Sequence, residues 1–403
     1  MLIEKRKLVL LSLWALPLVH SIELNTLWAA TSADALQTAV KGVFSLWLII
    51  LGLSCATSSM WRTFFTAKAF LLYSIFSILS LLWTVSYERT GMAILGFVSI
   101  LFLAIAAQRI SRESLARVLL KSSDLIVLVS LLAYILNFGD VVVVLQGVER
   151  LSGITFGPHA LARLVALSLV LRAYLYYLES GLSKLGSVIM LFAYVFVLLK
   201  TDSRQAYLVI VPSVFLIWLL SGDAVSKVRV VMALIISIAA ALPVFGLPTS
   251  ANDKLAGFSR SEADDVATLT GRTFIWSKSL ELIKDKPYVG YGMHGGGLML
   301  SQNYFTHTSG WTTESAHNLF IQTALDLGGV GLILVVFVFI FSGVRGFRRR
   351  DGLSMSLMAF VLILGLVERS IAGAPGFLNF LFFYAVLSVY QASFNCVSSG
   401  SED

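Results

Sequence analysis

LFIQTALDLGGVGLILVVFVFIFSGVRGFRRR, residues 319–350, decides the fold class. A long apolar run ends abruptly in Arg345, Arg348, Arg349 and Arg350. A continuous apolar stretch of about 18 residues or more can cross a bilayer as one helix. Arginines placed directly after it mark the cytoplasmic end. The rest of the chain repeats this pattern. Of its 403 residues, 57% are hydrophobic and 13% charged, and mean hydropathy is +0.85. A soluble domain carries about 25% charged residues, so the composition is that of a polytopic membrane protein.

Twelve spans are predicted, at 8–24, 38–58, 68–86, 91–108, 118–136, 158–178, 184–200, 206–221, 229–247, 319–344, 354–370 and 376–394. Each should be helical, because only a helix satisfies its own backbone hydrogen bonds in lipid without closing a barrel. A transmembrane barrel would need short alternating segments, and these runs are long and continuously apolar. The fold class is therefore all-α, a single membrane bundle over 1–403. The start, EKRKLVLLSLWALPLV, reads as an uncleaved first span; WAATSA downstream only loosely resembles a signal-peptide cleavage site.

The net charge of +7 would suggest nucleic acid only if the basic residues formed a patch. They lie between spans instead: Lys5, Arg6 and Lys7; Arg62 and Lys68; Arg109, Arg112, Arg117 and Lys121; Arg172 and Lys184; Lys227 and Arg229; and the arginines of RGFRRR. With twelve spans all these connections share one side, which the positive-inside rule makes cytoplasmic, with both termini. Cys55 and Cys396 have no metal-type or CxxC spacing.

The opposite face then carries NFGDVVVVLQGVERLSGITFGPH (137–159), the turn KTDSRQ (200–205), VERSIAGAP (367–375) and a long loop, 248–318. Within that loop GRTFIWSKSLELIKDKP (271–287) predicts an amphipathic helix. Trp276, Leu280 and Ile283 would form its apolar face, and Pro287 would end it. The glycines of VGYGMHGGG (289–297) could bring backbone close to a ligand.

Candidate chemistry concentrates on this face. Arg204 sits where one span ends and the next begins, on the side where basic residues are disfavoured. Arg272 opens the amphipathic helix, and His317 closes the long loop directly before Asn318. Guanidinium forks bind diphosphate oxygens bidentately and stay charged; imidazole can take a proton from an attacking hydroxyl. Singly, each has a plain alternative, as a headgroup anchor, a solvated charge or a helix cap. Glu314 stands close enough in sequence to orient the imidazole, and His159 and His294 are weaker candidates. Walker A, Asp-x-Asp and HExxH patterns are absent from the sequence.

SRQAYL (203–208), TLTGRTFIW with KPYVGYG (268–292), and AHNLFIQTALDLGGVG (316–331) resemble, in that order, the hallmarks of the O-antigen ligase and Wzy-type polysaccharide polymerase superfamily. The last stretch fits the pattern of His-Asn, nine residues, then Gly-x-x-Gly at Gly328 and Gly331. Before residue 150 the likeness is one of hydropathy only.

The resemblance implies a GT-C-like bundle in the bacterial inner membrane, with the active site under the periplasmic loop. It implies a glycan donor on undecaprenyl diphosphate, no cofactor and no metal. The acceptor would be a lipid-linked repeat unit or lipid A–core, with membrane lipids and a chain-length regulator as further partners and no nucleic acid. Carried over by motif, Arg204 and Arg272 would hold the donor diphosphate, and His317 would deprotonate the acceptor hydroxyl for an inverting attack. Glu314, Asn318 and His159 would support them.

SRSEADDVATLTGRTFIW (259–276) looks more like the polymerases than the ligases. A transporter of lipid-linked sugars would need ionisable residues in mid-span, and the predicted span centres are nearly free of them. A non-catalytic assembly scaffold is the remaining alternative.

Overall fold

The computed structural model describes residues 2–23, 33–145, 148–178, 184–221, 272–304, 312–372 and 375–391. The predicted span 229–247, the first part of the long loop, Glu262, Asp264, Asp265, Lys227, Arg229, His307 and Cys396 lie outside them. Every other predicted span falls on a helix. In chain order these are α1 (Leu2–Ser21), α2 (Ala33–Cys55), α3 (Ser58–Thr66), α4 (Lys68–Leu79, continued by a 3₁₀ turn at Ser80–Leu82), α5 (Tyr87–Ala107) and α6 (Arg112–Ile135). Then come α7 (Pro158–Tyr177), α8 (Lys184–Thr201), α9 (Arg204–Ser221), α10 (Arg272–Asp285), α11 (Gly295–Asn303), α12 (Leu319–Arg348), α13 (Gly352–Val367) and α14 (Phe377–Tyr390).

Five of the helices, α2, α5, α6, α7 and α12, are long and apolar enough to cross a membrane. A sixth span arises if α3 and α4 are taken together, although they are bent by 90°. The other helices on predicted spans are shorter or more polar. The chain is helical and multi-pass, and among the described residues one hairpin departs from an all-α reading: β1 (Val142–Leu145) pairs antiparallel with β2 (Val148–Leu151).

α14 is apolar on every side and buried on every side, as such a helix must be. Phe383 meets Phe70 at 5.0 Å and Phe97 at 4.8 Å, and Phe382 meets Phe339 at 4.8 Å. Helices α4, α5 and α12 are thereby fastened around one aromatic core. Exposed apolar side chains such as Val43, Leu46 and Ile50 on α2 face outward. Arg172, expected in a cytoplasmic connection, lies inside α7. It pairs with Asp124 of α6 at 2.5 Å and donates to Tyr194 of α8 at 2.9 Å. Burial demands this pairing, since charges inside a bundle persist only when matched.

α12 is not continuous. Gly328 sits at φ 65°, ψ −169°, which breaks the helix and frees backbone groups. The segment after α10 satisfies them: Gly329 N–H donates to the Pro287 carbonyl (2.7 Å), and Tyr291 and Gly292 N–H donate to the Leu325 and Asp326 carbonyls (3.1 and 2.8 Å). The same segment meets the gap between α4 and α5, where Val85 N–H donates to Tyr291 and Trp83 Nε1 to Val289. Three chain breaks thus supply one another's hydrogen bonds, the condition for non-helical backbone at membrane depth.

Candidate active site

α10 opens at Arg272 and packs along the first part of α12. Its buried stripe is Ile275, Ser279 and Leu282, which join Tyr291, Leu300 and Leu325 in a small second core. The predicted face of Trp276, Leu280 and Ile283 is one residue out of register, and Leu280 is exposed. Trp276 is positioned by its polar end instead: Nε1 donates to the Ala316 carbonyl at 2.8 Å. That bond places Arg272, one turn earlier, beside the residues that precede α12.

Those residues form a tight, cross-braced turn. Ala316 N–H donates to Gln322 Oε1 (2.9 Å) and His317 N–H to Ser315 Oγ (3.1 Å). Asn318 is the N-cap of α12, its Oδ1 accepting from Phe320 and Ile321 N–H. Its Nδ2 donates to the Leu366 carbonyl (3.1 Å), drawing in the end of α13. His317 is held at φ +48°, an uncommon conformation for a side chain other than glycine.

Glu368, the C-cap of α13, lies between the two predicted site residues. Its Oε2 is 3.2 Å from His317 Nδ1, and its Oε1 is 3.4 Å from Arg272 Nη2. Burial by itself would raise the Glu368 carboxyl. The hydrogen bond and charge of His317, with Arg163 and Arg272, outweigh it and hold the group down to about 2. The carboxylate is therefore charged and can only accept. Nδ1 must carry the proton of a neutral His317, which leaves the Nε2 lone pair free to accept another.

Arg204 is exposed at the start of α9 and touches neither residue directly. Its link to the site runs through neighbours. The adjacent Ser203 Oγ lies 2.9 Å from His159 Nδ1, and Arg163, one turn along α7, donates to the His159 carbonyl (3.1 Å) and faces Glu368. Buried Arg150 on β2 donates to the Thr201 and Asp202 carbonyls at 2.9 and 2.8 Å. A guanidinium thus caps the C-terminus of α8 and sets the turn leading to Arg204.

Glu314 does not orient the imidazole. It pairs with Arg89 of α5 at 2.7 Å, and Glu368 takes the expected place at His317. Two positions in sequence toward the N-terminus from Ala316 and only partly buried, Glu314 meets Arg89 of α5, whereas the α13 end is brought in by Asn318. His294 is a third element, half-buried at φ +63°, its ring lowered to about 4 by burial and by Arg369, against a smaller opposing effect of Glu314. The glycines of 289–297 approach other segments of the protein rather than an open site: a Cβ on Gly290 would lie 2.6 Å from the Asp326 carbonyl carbon, and one on Gly292 2.5 Å from Thr84 Oγ1.

A histidine braced by a carboxylate, a converging arginine and a backbone turn that fixes both are now joined by the two sides of one glycine contact. Residues 187–336 match the O-antigen ligase family. The matched region contains Arg204, Arg272, His317 and both partners of the α12 break. No curated protein matches the chain. The chain is thus similar to O-antigen ligases over this stretch, and its apolar helices are those of a multi-pass membrane protein.

Sequence reasoning missed Glu368 as a member of the site. Its signal was an acid at the outer end of a predicted span, on the face where arginines gather, but no spacing rule connects residue 368 to 272 or 317.

Proposed function

We propose that the protein transfers a glycan from undecaprenyl diphosphate to an acceptor sugar hydroxyl, with inversion and without a metal, as a Wzy-type polymerase of the bacterial inner membrane. The observation that carries this is the Glu368 carboxylate set between His317 and Arg272. His317 Nε2 takes the proton from the acceptor hydroxyl, whose oxygen attacks the anomeric carbon. The bond from that carbon to the diphosphate oxygen breaks, and its electron pair leaves with the diphosphate. Arg272 and Arg204 hold the diphosphate as its negative charge grows, so they bind the transition state better than the ground state. Glu368 fixes the imidazole tautomer and balances the imidazolium. Asn318 and His159 support the backbone of the two motif turns.

The positive-inside pattern favours cytoplasmic termini and a periplasmic site under the 248–318 loop, within one membrane domain over 1–403. The polymerase reading rests on SRSEADDVATLTGRTFIW. The description of the matched family favours a second reading, transfer to lipid A–core by a ligase.

One assay separates them. Purified protein receives lipid-linked donor with either lipid A–core or a second lipid-linked repeat. Extension of the repeat supports the polymerase; extension of lipid A–core alone makes it a ligase. If neither is extended, while vesicle-reconstituted protein moves lipid-linked sugar across the bilayer, the transporter reading replaces both.

A further inference from the structure

Glu368 serves two partners through its two oxygens, His317 at 3.2 Å and Arg272 at 3.4 Å. Under the proposed function their needs conflict. The imidazole needs the carboxylate throughout the proton transfer, and the donor needs the guanidinium. A diphosphate carries more charge than a carboxylate and can engage the guanidinium fork bidentately. At 3.4 Å the Arg272 contact is the longer and weaker of the two, made through Nη2. Losing it does not strand a buried charge, because His317 and Arg163 of α7 still face Glu368.

We propose that Glu368 is a positioning residue whose contact with Arg272 is displaced by the donor: the incoming diphosphate takes Arg272 from Oε1, while Oε2 keeps the bond it already makes to His317 Nδ1, so that with donor bound the carboxylate serves the base alone. This rests on the glycosyl-transfer reading above. In the empty site Glu368 shields Arg272 from casual anions. With donor bound, the same carboxylate holds His317 Nδ1–H while Nε2 receives the acceptor proton. As the anomeric C–O bond breaks, the electron pair goes to a diphosphate already on Arg272. When the diphosphate departs, Glu368 returns to Arg272 and competes against rebinding.

Competition of this kind leaves a kinetic signature that a purely structural ion pair does not. Glu368→Gln keeps the shape but competes poorly for a guanidinium. Its donor KM should fall about 3- to 10-fold, because the fraction of Arg272 ready for donor rises. Its kcat should fall about 10-fold or more, because the imidazolium loses its carboxylate. A fall in both is the mark of a ground-state cost removed together with transition-state support. Glu368→Asp keeps the charge and should recover part of kcat.

Arg272→Ala should raise donor KM. Adding Glu368→Gln to it should not lower KM again, since the competition is already gone. A donor KM that rises or stays constant in Glu368→Gln, or that falls equally in both backgrounds, overturns the proposal. If Glu368→Gln does not fold, equilibrium binding of the donor lipid to Glu368→Ala, which removes the competing carboxylate, decides it: unchanged or weaker affinity relative to the native chain rejects competition, and tighter binding supports it. Absence of turnover by the native protein, or full turnover by His317→Ala, would instead overturn the glycosyl-transfer reading itself.

Discussion

His317 stands at φ +48°, so substituting it tests two properties at once, the ring and the backbone. Asparagine tolerates this conformation better than alanine. His317→Asn should therefore keep the native melting temperature and lose about 10²- to 10⁴-fold in rate, the usual contribution of a general base; thermal unfolding beside a turnover assay checks it. A loss of stability equal to the loss of activity would make the residue structural.

His294 offers a test by pH. Its folded value, about 4, lies below the ordinary histidine value of 6.5. The unfolded chain therefore binds the extra proton first as pH falls. The stability that depends on neutral His294 is complete above about 6.5 and is lost as pH drops toward 4. Melting temperature should decline across that window, and His294→Asn, which suits the same φ, should shrink the decline. Glu368, held at about 2 when folded against 4.5 when free, adds a loss of the same sign from about pH 5 downward, as the unfolded carboxyl takes up protons that the folded one refuses, so the comparison with His294→Asn isolates the histidine's share.

Among elements, the two glycine motifs explain each other. A Cβ on Gly328 would lie 2.2 Å from the Tyr288 carbonyl carbon, at a backbone conformation open only to glycine. Gly328→Ala should destabilise the protein by about 1–3 kcal/mol from strain alone, with activity lost in proportion to folded protein. The spacing of both motifs was legible in the sequence; their mutual contact was not, because pairing between separate segments leaves no periodicity in either. The α10 helix was legible down to its end at Pro287, but its face was misread. Trp276 looked like a core anchor, and its indole N–H turned it into a polar link to Ala316, which rotated the stripe by one residue. Glu368 was out of reach for the same reason as the glycine contact: residues 272, 317 and 368 meet only after α12 and α13 pack.

At the scale of the molecule, apolar runs and their basic flanks sufficed to place the helices, because hydrophobic length is a local property of the chain. Where the buried charges pair is not local. Arg172 was counted with the loops, yet Asp124 and Tyr194 hold it within the bundle. Asp124→Asn should weaken the packing of α6 on α7 and α8 and lower the melting temperature, whereas Lys121→Gln, a helical turn earlier, should not. Orientation has its own measurement. Single cysteines introduced at Arg349 and Tyr304 into a chain free of Cys55 and Cys396 should react with impermeant reagent from opposite sides of sealed inner-membrane vesicles. Labelling of both from one side would overturn the orientation.

The broken helix α12 also dictates an order of construction. Its freed carbonyls and N–H groups are matched by residues 287–292, which lean in turn on Trp83 and Val85, synthesised some two hundred positions earlier in the chain. Until residues 289–291 have been made, the gap after α4 has no partner, and until residue 330 has been made the glycine segment lacks its own. During synthesis the early helices must wait in the membrane with that seam open, sheltered by water or by the insertion machinery. The seam closes only when α12 arrives, and α12 brings His317 with it. The reactive face is completed later still, when α13 delivers Glu368 to His317 and Arg272.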